Sequence, residues 1–200
     1  MREELVRLRR RMQEEQVDAC LIMTDDFHGS EYVGDYFKSR EYISGFTGSA
    51  GTLLVMKDTA GLWTDGRYFL QAEAQLSGSG ITLYRSGQPG VPSVKEFLRK
   101  EMQPGETLCF DGRCVMASAA RELREILEPG GVSVRSDLDL AGDIWTDRPA
   151  ISREPVWILE EQYAGAGVGE KIQEVRRLLR AEKADGFLLA ALEDICWLLN

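Results

Sequence analysis

The chain contains one histidine, His28, in 200 residues, and that count already limits its chemistry. His28 stands in DDFHGSEY beside Asp25, Asp26 and Glu31. These are metal-donor types, but one imidazole among neighbouring acids reads more simply as a solvated loop. A histidine-rich zinc site has no material here, and a hydrolase working through a histidine base has a single candidate. GFTGSAG, Gly45 to Gly51, invites comparison with phosphate-binding loops. No lysine follows it, the spacing is neither GxxxxGK(S/T) nor GxGxxG, and the apolar run TLLVM comes next in place of a helix N-terminus able to hold an anion. Its glycines read as conformational freedom or close backbone packing.

WTDGRYF, Trp63 to Phe69, carries a denser signal. Asp65 and Gly66 turn the chain, and Asp65 or Thr64 can cap a helix predicted over residues 66–76. Arg67 then falls in a first helical turn, where it opposes the dipole, so it requires a carboxylate, either in an internal ion pair or across a cleft. Asp111, Asp139 and Asp143 are acids of the kind that hold Mg in a ribonuclease-H-like nuclease, although the sequence alone does not converge them. Charge argues against that substrate. With 24 Lys and Arg against 33 Asp and Glu, the net charge of −9 repels phosphate backbones and anionic lipid heads, so nucleic acid and membrane surfaces are not expected partners. The four cysteines form no CxxC pair, which speaks against a disulfide framework or zinc ribbon. Cys20, Cys109 and Cys196 read as buried thiols, and Cys114 falls in a turn.

The elements that must position these residues follow from periodicity. Leu5, Leu8 and Met12 recur at i, i+3 and i+7 within residues 2–16, an amphipathic helix, and Asp18 to Thr24 reads as a buried strand. Further strands are predicted at 52–56, 61–64, 81–84, 107–110 and 132–135, with helices at 66–76, 93–102 and 116–127, Ser93 and Ser118 helping to start the last two. Strands alternating with helices imply an α/β fold, a sheet flanked by helices. KDTAG, 57–61, has a hairpin composition between two strands, which makes the sheet mixed. A short helical segment over 138–145 leads into TDRPAISREP, a composition suited to a connection between domains. Met1 to Arg11 is charged and no apolar run approaches the ~20 residues needed to cross a bilayer, so a cytoplasmic chain is expected.

A shift of 167 positions brings the beginning of the chain back near its end. Leu5, Leu8 and Met12 fall on Ile172, Val175 and Leu179, Arg9 and Arg10 on Arg176 and Arg177, and Asp18 on Asp185. Ala19 to Ile22 then fall on Gly186 to Leu189. The expected organisation is one domain over residues 1–150 and, over 151–200, a linker with the incomplete start of a second, similar domain. LEDICWLLN, with its apolar helical spacing and no cap, is read as interrupted within that second domain.

The segments HGSEY (28–32), ISGFTGSAGTLLV (43–55), LWTDGRYFLQAE (62–73), IWTDRP (144–149) and ALEDICWLLN (191–200) together resemble the N-terminal part of cytosolic three-domain Xaa-Pro aminopeptidases, the aminopeptidase P family. The resemblance spans nearly the whole chain. It implies two creatinase-type N-terminal domains with ribonuclease-H-like mixed sheets, then a catalytic domain binding two divalent metal ions, Mn or Zn, which removes the residue preceding proline at a peptide N-terminus. The metal ligands of that family, two Asp, one His and two Glu, belong to the third domain. The implied role for this chain is therefore non-catalytic, with no catalytic or metal-binding residue: shaping the peptide cleft and supporting a homodimer. The resemblance carries Arg67 onto an arginine directed at the peptide cleft, and His28 and Tyr68 onto family positions. Thr47 stands where relatives often carry Asp, so a charged role for that turn does not transfer. The alternative is a stand-alone binding module that keeps the creatinase-type fold without peptidase activity.

Overall fold

The spacing of Leu5, Leu8 and Met12 produces helix α1 (Glu3–Glu14), with all three side chains buried along one stripe. Glu3 and Glu4 in its first turn and Arg11 in its last complement the dipole. The computed structural model describes residues 1–200, which separate into two units, Met1–Ile151 and Ser152–Asn200. In the first unit α1 leads to β1 (Ala19–Met23), α2 (Ser39–Ser44), β2 (Thr52–Met56), β3 (Ala60–Thr64), α3 (Phe69–Gln75) and β4 (Thr82–Arg85). There follow α4 (Val94–Glu101), β5 (Thr107–Cys109), α5 (Ala117–Leu127), β6 (Ser133–Arg135) and α6 (Leu140–Ile144).

The six strands form one sheet in the order β4-β3-β2-β1-β5-β6. β1 pairs antiparallel with β2, and β2 with β3 across the predicted hairpin, whereas β1–β5, β5–β6 and β3–β4 are parallel. The mixed α/β sheet expected from the sequence is therefore present. Its apolar runs are continuous because both faces are covered. Cys20 and Ile22 of β1, with Leu53 and Val55 of β2, meet the buried residues of α1, α2, α3 and α6. Ala19, Leu21 and Leu54 point the other way, toward Leu98 of α4 and Leu123 and Leu127 of α5.

Several boundaries differ from expectation for local reasons. Helix α3 begins at Phe69, not Gly66, and its N-cap, Tyr68, makes no side-chain cap bond. Asp65 cannot cap it, because its carboxylate is held by Arg67 within the turn. Ser93 does start α4, through a capping box with Glu96. Helix α5 begins at Ala117 after Met116 without a side-chain cap, so Ser118 does not start it. Helix α2 was not visible in the sequence pattern, since six residues give less than two turns of periodicity.

In the second unit α7 (Glu161–Ala164), α8 (Val168–Ala181) and α9 (Leu192–Leu199) are the regular elements. The 167-residue correspondence extends to the hydrogen bonds that end the helices. After α1, Gln16 takes φ 55° and the Val17 N–H donates to the Met12 carbonyl. After α8, the equivalent Lys183 takes φ 54° and the Ala184 N–H donates to the Leu179 carbonyl. The Glu15 and Glu182 amides likewise donate to the equivalent Arg11 and Leu178 carbonyls. Residues 186–190, the counterpart of β1, form no strand. Within this unit they have no sheet neighbour to pair with, so Phe187 and Leu188 stay exposed. For the same reason Cys196 on α9 is exposed, contrary to its reading as a buried thiol. What fastens α8 to α9 is Lys171, whose ammonium donates to the Trp197 carbonyl at 2.7 Å and to Asn200 Oδ1 at 2.5 Å. A cation there also satisfies the carbonyl end of α9.

Candidate functional site

The loops after β1 and β4, the turn after β3 and the glycine loop before β2 meet at one end of these strands, around a cleft of about 670 Å³. Thr24, Glu31, Ser49, Thr64, Asp65 and Ser93 are among the residues that line it. Strand ends of this kind, where connections leave an α/β sheet, gather ligand-contacting loops.

Arg40, which sequence reasoning overlooked, lies behind the lining and braces Thr24. It is 4% exposed and has no carboxylate partner. Its guanidinium donates to Thr24 Oγ1 at 2.7 Å, to the Phe46 carbonyl at 2.9 Å and to the Gly48 carbonyl. Burial pushes its pKa down to about 10. Thr24 and Thr64 continue the lacing, with hydroxyls donating to the Gly51 and Ala50 carbonyls at 2.9 and 2.7 Å. The glycines are close-packing residues, as the sequence allowed: a Cβ at Gly48 would lie 2.8 Å from Tyr68 Cδ1 and would overlap the Phe46 ring. Gly45, at φ 73°, ends α2 in the left-handed conformation. The available signal for Arg40 was its place on one helical face with Ile43 and Ser44, all three buried.

On this frame the structure brings two of the three predicted residues together. Arg67 Nε and Nη2 donate to the two oxygens of Asp65 at 2.9 and 2.8 Å, and the Arg67 backbone N–H donates to Asp65 Oδ1 at 3.0 Å. This fork pulls the Asp65 carboxyl down to about 2 and the guanidinium up. The Arg67 guanidinium lies 5.2 Å from the centre of the Tyr68 ring. Tyr68 in turn shares a 2.6 Å hydrogen bond with Ser49 and packs edge-on against Phe46. Arg67 is thus outside the helix, its required carboxylate supplied two residues away. Thr47, beside this group, accepts from the Gln71 and Gln75 amides, both at 2.9 Å.

His28 lies on the loop after β1 with its ring exposed and without a side-chain hydrogen bond, so none joins it to Arg67 or Tyr68. The loop is shaped by buried Asp26, whose Oδ1 accepts the His28 and Ser30 N–H groups and whose carboxyl is held below its usual range by them. It contributes Ser30 and Glu31 to the cleft, and Glu31 lies in the field of Arg67.

The acids considered for a metal do not form a cation cage. Asp111 and Asp139 are bridged by Arg113, and Asp139 is bound again by Arg148 at 2.6 Å, while Asp143 pairs with Arg11. No three His, Cys, Asp or Glu side chains converge as a ligand set. These carboxylates, already neutralised by guanidinium groups, do not fit a two-metal centre. No helix is long and apolar enough to cross a membrane.

Comparison with known proteins covers both units. Residues 5–146 match the creatinase/prolidase N-terminal domain, and residues 147–200 match a second model of the same description. The chain is 40% identical, over 99% of its length, to the "Probable Xaa-Pro aminopeptidase P" of Talaromyces marneffei, and 40% identical over 92% to the aminopeptidase P2 of Arabidopsis thaliana. It spans 30% and 26% of those two proteins. A crystal structure of the X-prolyl aminopeptidase of Caenorhabditis elegans, described as a cytosolic enzyme with a di-nuclear active site, superposes with a TM-score of 0.84 at 32% identity. That superposition covers 98% of this chain and 34% of the other.

Proposed function

Because this chain belongs to the creatinase/prolidase N-terminal domain family, we propose that it is the non-catalytic N-terminal region of a metal-dependent Xaa-Pro aminopeptidase. The observation that carries the reading is the 40% identity to aminopeptidase P relatives along 99% of the chain, through both units. The whole protein would act in the cytoplasm on peptides with proline second, with two divalent metal ions held outside these residues. Those ions would activate water and polarise the scissile carbonyl. The role of this region is to shape the peptide cleft and to support a homodimer. Arg67 and Tyr68 face the substrate, and His28 lines the approach from the loop after β1. The second unit is the start of a second domain: the repeated helix ends around Gln16 and Lys183 support the duplication, and residues 186–190 would pair once further strands of that domain are present.

The test is hydrolysis of a tripeptide with proline second by the 200-residue chain, with Mn or Zn added, beside the protein made from its uninterrupted reading frame. The chain alone is expected to show no turnover and the longer protein metal-dependent turnover. Metal-dependent cleavage by the chain that survives repurification refutes the non-catalytic assignment. A reading frame that yields no Xaa-Pro hydrolysis refutes the peptidase assignment.

A further inference from the structure

The turn that carries Arg67 occurs twice. Asp65-Gly66-Arg67 follows β3 and Asp111-Gly112-Arg113 follows β5. In both, the arginine N–H donates to the first carboxylate oxygen at 3.0 Å, Nε donates to the same oxygen at 2.9 Å, and Nη2 donates to the second oxygen at 2.8 Å. Both guanidinium groups also lie over an aromatic ring, Tyr68 at 5.2 Å and Phe27 at 5.1 Å. The fork uses only two of the five guanidinium donors, so each turn presents a second, outward edge.

The copies differ in what that edge meets. At Arg113 it is filled: Nη2 makes a further bond to Asp139 at 3.1 Å, joining β5 to the start of α6. At Arg67 the same edge makes no second ion pair: Glu31 acts on it only through its field, and the side chain is 69% exposed beside Asp65, which lines the cleft. One molecule therefore shows the same device closed and open. We infer that Asp65 is a positioning residue: it fixes the Arg67 guanidinium so that its outer edge receives the terminal carboxylate of a bound peptide, as Arg113 receives Asp139. This rests on the proposal that Arg67 faces the substrate. What it adds is that the aspartate, through the fork, sets the direction in which the arginine binds. An exposed arginine without the fork distributes among rotamers, and ordering it on binding would weaken the contact.

The test uses the enzyme expressed from the full reading frame and two probes, a tripeptide with proline second as its free acid and the same tripeptide as its C-terminal amide. The parent should prefer the acid by about fivefold, the range of one exposed charge pair, with the difference in KM and not in kcat. Arg67→Ala should abolish the preference. Asp65→Asn should also abolish it, Asp65→Asn added to Arg67→Ala should change nothing more, and Asp111→Asn should keep the preference. If the parent or Arg67→Ala shows that Arg67 does not discriminate acid from amide, the underlying substrate reading falls. If Arg67→Ala loses the preference and Asp65→Asn keeps it, that reading stands and the positioning role of Asp65 is overturned.

Discussion

Replacing Arg40 by methionine removes a buried cation while keeping most of the volume of its stem. Arg40 supplies three charge-assisted hydrogen bonds, to Thr24, Phe46 and Gly48. Each such bond contributes about 1.5–3 kcal/mol. Against this stands the cost of burial, which the fall of the pKa to about 10 places at about 3 kcal/mol. The balance favours the arginine by about 1.5–6 kcal/mol. Methionine also leaves the Phe46 and Gly48 carbonyls without their donor inside the protein. The expected loss of about 3 kcal/mol corresponds to a fall of about 10 °C in the transition of the first unit, read by calorimetry. Arg40→Lys, which keeps the charge but cannot reach three acceptors in one plane, should fall between methionine and the parent. An Arg40→Met protein melting within 2 °C of the parent, to use a threshold of about 1 kcal/mol, would show that the clamp contributes nothing net.

Two further expectations concern titration and reactivity. The Asp65 carboxyl should titrate near pH 2 by NMR, and in Arg67→Ala it should rise toward the ordinary carboxylate range, held below it by the backbone N–H of residue 67 that the substitution keeps. Because its folded pKa is depressed, its small stabilising contribution is complete above the ordinary aspartate range near pH 4 and is lost as pH falls toward 2. Alkylation at pH 8 followed by mass spectrometry should modify exposed Cys196 first. Cys114, half-buried and pushed up to about 12 by burial, should react slowly, and Cys20 and Cys109 only on unfolding. Rapid labelling of Cys20 would contradict the packing of β1 against β5.

The parts of the fold that were legible in the sequence are those decided by near neighbours along the chain. Leu5, Leu8 and Met12 announce a buried helical stripe, and Ser93 with Glu96 announces a capped start, because both signals lie within one or two turns. The start of α3 was misplaced because Asp65 had two suitors, the helix amides and the Arg67 side chain, and spacing alone does not rank them. The guanidinium prevails since it offers a charged, two-bond partner. The site was legible to the same extent. Arg67 and Tyr68 are adjacent in sequence and remain together, whereas Arg40 owes its role to Thr24, Phe46 and Gly48, which a three-dimensional loop brings around it.

The 167-residue repeat separates what a segment forms alone from what it forms only with partners. Helix α8 reproduces α1 down to the left-handed residue and the hydrogen bonds that close it, because a helix and its cap are satisfied by their own backbone. Ile172, Val175 and Leu179 occupy the positions of Leu5, Leu8 and Met12 yet are only half-buried, since no sheet lies beneath them within the second unit. Residues 186–190 have the apolar content of β1 and remain unpaired. In the first unit β1 is held by Thr52–Met56 on one side and by Thr107–Cys109 on the other, strands that follow it by some thirty and ninety residues. The same composition therefore gives a central strand in one unit and an exposed segment without strand pairing in the other, and the difference lies in the neighbours and not in the segment itself.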